Sequence, residues 1–126
     1  MSIPSFIHAR RAAAAIAACT IVAFADPANS SEIETATGPT DPLCGTTGKI
    51  GAEAAGDMVD RSLGGIAAVQ LGGPVSAGDK LTSDANGKAV ATTTAGHRII
   101  GFAEEPGVAG DIIDYFAAPG VIGETV

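Results

Sequence analysis

The stretch LGGPVSAGDKLTSDANGKAVATTTAGHRIIG, Leu71 to Gly101, decides the fold. It enters through Gly72-Gly73-Pro74, passes an Ala77-Gly78-Asp79 turn, and takes a short apolar step at Leu81. It then reverses at Asp84-Ala85-Asn86-Gly87 and returns through Val90. Asp suits the first place of a type I turn. Gly suits the last, where a positive φ closes a bulged hairpin. The spacing predicts a β-hairpin with Asn86 and Gly87 at its tip. The stretch has no nucleophile–base pair and no metal-ligand spacing, so it reads as architecture.

Outward from the hairpin, the Ala-Gly-Asp turn recurs. Ala55-Gly56-Asp57 precedes Met58-Val59, Ala77-Gly78-Asp79 precedes Lys80-Leu81, and Ala109-Gly110-Asp111 precedes Ile112-Ile113. In each, Gly makes the turn, Asp hydrogen-bonds nearby backbone N–H groups, and an apolar strand starts. The copies are too irregular for a solenoid. Further strands are expected at Thr20–Ala25, Glu32–Thr37, Leu43–Thr46, Gly65–Leu71, Arg98–Ala103 and Asp111–Ala117. Short strands at roughly ten-residue spacing point to an all-β fold, a small barrel or sandwich.

Composition sets the scale. A chain of 126 residues is about one domain. Apolar residues make up 46%, but aromatics only 4%, so large core side chains are few and the core is thin. A thin core gains from oligomerisation or docking. The formal charge of −7 repels phosphate and speaks against direct nucleic-acid binding. No apolar run reaches the length of a membrane span. Cys19 and Cys44 lie in apolar surroundings and outside any CxxC; a disulfide is open, and two buried free thiols are favoured.

The N-terminus has two readings. Residues 1–15 form an extended arm before the β-rich domain of residues 16–122, with 123–126 as a tail. Within this reading, Arg10–Ala18 is Ala-rich enough for one or two helical turns, and Ile3, Phe6 and Ile7 are candidates for docking on a neighbour. Alternatively, Arg10-Arg11 followed by Ala12–Ala25 has the n-region and h-region of a signal peptide. Ala23-Phe24-Ala25 would be its cleavage site, and the product a secreted or periplasmic β-domain.

Candidates for chemistry are weak. Asp57, Asp79 and Asp111, with Asp60 and Asp114, have the right donor type for calcium but lack the spacing of known calcium loops, and a turn role explains them. Glu104-Glu105 are sequence neighbours that a strand would turn to opposite faces. His8 and His97 have no ligand partner at useful spacing. Lys88 follows a hairpin tip, as in lipoyl and biotinyl carriers, but Asn86-Gly87 holds the tip itself. We therefore expect no catalytic residues, no metal and no cofactor.

Val69–Ala91 (VQLGGPVSAGDKLTSDANGKAVA) and Arg98–Ile122 (RIIGFAEEPGVAGDIIDYFAAPGVI) together resemble the bacteriophage head decoration proteins, also called capsid cement proteins. Pro4–Ile7, Ile16–Phe24 and Ala55–Val69 extend the resemblance in the same order over nearly the whole chain. Each piece alone is Gly-rich turn chemistry; the combination is the more specific signal. The departure is Arg10 to Ala15. The resemblance implies a non-enzymatic β-rich domain, often trimeric, that binds the major capsid protein on the outer surface of the virion after synthesis in the bacterial cytoplasm. It also implies that Ile16–Phe24 is an early strand of the mature domain. A ligand of the assembled shell alone stabilises it by mass action against internal DNA pressure, and repeated weak contacts add through effective concentration. On the arm reading, removing residues 1–7 abolishes shell binding and leaves the domain folded.

Overall fold

The computed structural model describes residues 3–26 and 28–123, except for the side chains of 3–6, 29 and 30. The described residues form nine strands and no helix: β1 (Ile3–Ala12), β2 (Ile21–Asp26), β3 (Asn29–Thr35), β4 (Leu43–Thr47), β5 (Met58–Gln70), β6 (Lys80–Ser83), β7 (Ala89–Ala91), β8 (Arg98–Ala103) and β9 (Ile112–Val121). The fold is all-β, as expected. Pairing runs β1-β3-β2-β4-β5, and β5 pairs again with β1, which closes a five-stranded barrel. From the far half of β5 the sheet continues as β9-β8-β6-β7, a four-stranded flap.

One apolar residue from each barrel strand points inward: Ala12, Val22, Ile33, Cys44 and Val59, with Ile16 and Ala52 packed beside them. A five-stranded ring has room only for such side chains, so its interior is filled rather than hollow. The second core lies between the flap and the barrel's outer wall. It gathers Ile21 and Ala23 from β2 with Val69, Leu71, Leu81, Ile100, Ile113 and Tyr115. Alternation along β2 explains its double service: Val22 faces into the barrel, Ile21 and Ala23 face the flap. The phenol of Tyr115 and the Thr46 hydroxyl share a hydrogen bond of 2.8 Å across that boundary.

The hairpin of the deciding stretch is present. Leu81, Thr82 and Ser83 pair with Ala91, Val90 and Ala89. Asp84 Oδ1 accepts the N–H groups of Asn86 (2.8 Å) and Lys88 (3.0 Å), and Gly87 sits at φ 74°.

The structure bears on the N-terminal readings. Ile3–Ala12 is extended, but it is a strand paired with β5 along Ile3–Arg11 and with β3 at Arg11 and Ala12, so over these residues the arm is part of the barrel wall. Met1 and Ser2 lie outside the described residues, as do Glu124–Val126 of the tail. The helical turns expected over Arg10–Ala18 are absent. Alanine's helix preference is weak over so short a run, and the β5 partner satisfies the backbone instead. Cleavage after Ala25 would remove β1, nearly all of β2 and the core residues Ala12, Ile16, Cys19, Ile21, Val22 and Ala23. Packing therefore speaks against reading Arg10–Ala25 as a removable leader. For the same reason, deleting residues 1–7 takes half of a closing strand and does not leave the barrel intact.

Candidate functional site

The three turns read from the sequence share one construction. Gly56, Gly78 and Gly110 have φ of 92°, 87° and 93°, the left-handed value that the third place of a type II turn requires. Asp57, Asp79 and Asp111 each accept, through Oδ2, the N–H three residues back, from Ala54 (3.2 Å), Ser76 (2.9 Å) and Val108 (3.0 Å). Each Gly N–H also reaches across to another segment: to the carbonyl of Ala12, Ala103 and Leu71, at 2.8, 2.7 and 2.9 Å. The three carboxylates are thus engaged within their own turns.

Two further copies escaped the sequence reading. Thr94-Ala95-Gly96-His97 has Gly96 at φ 88°, its N–H bound to the Ile122 carbonyl (2.9 Å). Ala17-Ala18-Cys19-Thr20 has Cys19 at φ 53°, its N–H bound to the Gly48 carbonyl (3.0 Å). In the first, His97 stands in place of Asp and its Nδ1 bonds the Thr92 hydroxyl (2.7 Å). In the second, Thr47 Oγ1 accepts the Thr20 N–H (3.0 Å). Aligning AAGDMV with AACTIV and TAGHRI would have revealed both.

Of the candidate contact residues, Ile7 is 50% exposed. It lines a cleft with Thr47, Lys49, Asp60, Ser62 and Ala68. Ile3 and Phe6 stand opposite Ile66 and Gly64 of β5; their side chains lie outside the described set. The register gives Ile3 an unforeseen setting. Ile66 is opposite Phe116 of β9, and Phe116 is opposite Phe102 of β8. The positions of Ile3, Ile66, Phe116 and Phe102 thus make one row across four strands. Phe116 is 47% exposed, and Ile112 on the same face of β9 is more so. The row is an exposed apolar strip on a face that also carries Gln70, Lys80 and Asp114. Composition hides it, because Phe102 and Phe116, two of the four phenylalanines among 126 residues, join Ile66 in a row only once the strand registers are set.

Chemically reactive groups are subdued. Burial pushes the Cys44 thiol up to about 11 and raises Cys19 as well, so neither is a thiolate at neutral pH. Both cysteines are free. Burial likewise pushes the Tyr115 phenol up to about 12. Lys88 Nζ approaches Thr20 Oγ1 (3.4 Å), which sets it against the barrel rather than at the hairpin tip. Among the described residues no three His, Cys, Asp or Glu side chains gather as a metal site, and no helix is long and apolar enough to cross a membrane.

The solved structure of the head fiber gp8.5 N base in bacteriophage phi29 is similar to this chain. Its TM-score is 0.68 with 22% identity, over 90% of this chain and 93% of that one. The likeness shows a shared fold. No family model matches the chain, and no curated protein does.

Proposed function

We propose that the chain is a structural, non-enzymatic protein of a phage head. It binds the outer surface of the assembled capsid through the major capsid protein and stabilises the shell. The carrying observation is the fold shared, end to end, with a protein named as the base of a phage head fiber. The sequence resemblance to decoration proteins points to the same particle from different evidence. The uncovered apolar row of Ile66, Phe102 and Phe116 gives such a protein something to bind with. In this reading the row packs between copies in a homotrimer, and Ile3, Phe6 and Ile7 carry the apolar surface on towards the shell. Synthesis in the host cytoplasm and attachment to the finished head follow from that role.

The test separates folding from attachment. Phe116→Lys changes an exposed side chain, so the domain stays folded, but it puts a charge into the row. Co-sedimentation with purified expanded capsids is expected to drop at least tenfold, and sedimentation velocity to show loss of the trimer. Ile7→Asp should weaken co-sedimentation and leave the oligomer intact. Wild-type protein that neither self-associates nor sediments with capsids would overturn the proposal.

A further inference from the structure

The barrel interior changes character towards one end. Above the apolar layer, the inward positions include Arg10 on β1 and Arg61 on β5. Arg10 is opposite Val59 and His8 is opposite Arg61, so the two arginines are diagonal neighbours on one face, with His8 at the rim. Arg61 is only 6% exposed. Its Nη1 donates to the Cys44 carbonyl (2.9 Å), and its guanidinium lies 5.5 Å from the centre of the Phe24 ring. Its Nε is buried without a partner, and so is Nε of Arg10. Both guanidiniums act on the Cys44 thiol, where they oppose the rise that burial causes. The thiol stays neutral and compensates neither charge. No carboxylate of the described residues pairs with either arginine.

A buried cation without an anion, as Arg61 is, costs several kcal/mol, far more than a solvated one; Arg10 is half-buried, with its Nε sealed. A guanidinium edge that carries an idle N–H is a fork suited to an oxyanion. A groove gives access to Arg10, although Arg61 is not among its lining residues. β1 and β3 pair only at Arg11–Glu32 and Ala12–Ile33, so the strands splay beyond that point. A groove of about 310 Å³, lined by Ala9, Arg10, Arg11, Ser31, Glu32 and Met58, opens there. By strand alternation Glu32 belongs to the outer lip, since Ile33 points inward. This cationic pocket sits in a chain of net charge −7, so it is not part of a general basic surface.

We infer that Arg10 and Arg61 form an oxyanion-binding site inside the open end of the barrel, reached through the β1–β3 seam. The ligand is a small oxyanion: free phosphate, or a carboxylate presented by a partner. The inference does not depend on the proposed attachment to capsids.

The experiment uses the full chain. Thermal unfolding is followed as chloride is replaced by inorganic phosphate, or by acetate, at fixed pH and ionic strength. The wild type is expected to show a saturating rise of about 5 °C. Arg61→Met keeps the volume of the side chain, and replacing a buried charge in this way is often neutral or stabilising; it should abolish the rise. Arg10→Met should reduce it by at least half. A response to phosphate alone identifies free phosphate as the ligand, and a response to acetate identifies a carboxylate. A rise of equal size in all three proteins is the general effect of excluded salts and overturns the site. A full rise in Arg10→Met overturns it too, whatever happens to Arg61→Met.

Discussion

The barrel and the flap are built from the same turn and solve opposite problems. The barrel closes on itself, though its β1–β3 seam is paired at only two positions, and its interior is small and partly polar, with Arg61 buried in it and Arg10 at its open end. The flap stays open. Its terminal strand, β7, has only three residues, its buried side is the larger apolar core, and its outer side keeps Phe116 in solvent. Closure spends the hydrogen-bonding capacity of a sheet internally, whereas an open sheet leaves surface for something else. The difference teaches that the exposed apolar row lies where the open sheet leaves the barrel, across β5, β9 and β8.

Each region contains a glycine with positive φ that brings two backbones together. In the flap, Gly101 has φ 153°, and a Cβ there would run into the Phe116 carbonyl oxygen of β9. In the barrel, Gly45 has φ 121°, and a Cβ would stand 2.6 Å from the Ser62 carbonyl oxygen. Backbone cannot yield as a flexible side chain does. Gly101→Ala is expected to cost about 4 kcal/mol, the largest effect proposed here, and Gly45→Ala about 3 kcal/mol. Urea unfolding measures both. Equal and small losses would break the comparison, because neither region would then depend on its close approach.

Tyr115 tests the boundary between the regions. Its phenol is held up to about 12 in the fold, against an ordinary 10. A raised value in the folded state means that the contribution is whole below pH 10 and is lost as pH climbs from 10 to 12. That difference is worth about 3 kcal/mol. Cys44, raised from 9 to about 11, begins a similar loss one pH unit earlier. Between pH 10 and 12 Tyr115→Phe should lose less stability than the wild type, because only the Cys44 part of the loss remains. At neutral pH the variant should be weaker by about 1 kcal/mol, for the bond to Thr46. An identical alkaline profile for both proteins would show that the phenol is not sealed at the boundary.

The smallest effects concern the shared turn. Gly78→Ala meets no neighbouring atom within 4 Å and pays only for its φ of 87°, about 1 kcal/mol. Cys19 already tolerates φ 53°. Cys19→Gly relieves that conformation but loses a buried side chain, so its stability should stay within about 1 kcal/mol of the wild type. A loss well beyond that would mean that Cys19 is held by its packing and is not a true copy of the turn.

Much of the flap was legible in sequence because its signals are local. Asp84 to Gly87 specifies its own hairpin, and Ala-Gly-Asp specifies its own turn. The barrel was less legible because ring closure is a long-range event. Nothing near Arg10 announces that its partner is Val59, so an Ala-rich run beside two arginines reads as helix, arm or leader. Gly64-Gly65 reads as the start of a strand, but β5 runs straight through the pair, with Gly65 at φ 74°. The contact row needs three registers at once, and Arg61 shows its isolation only when the inner face is assembled.

The pairing of β1 with β5 also has a consequence in time. Ile3 waits for Ile66, and Arg11 for Met58, so β1 leaves the ribosome well before the strand that pairs with it. At about 5–20 residues per second, the strand stays without its β5 partner for several seconds of synthesis. High contact order of this kind slows folding and leaves an unpaired segment open to wrong partners. The ring that removes edges from the finished protein thus creates a temporary one during its birth.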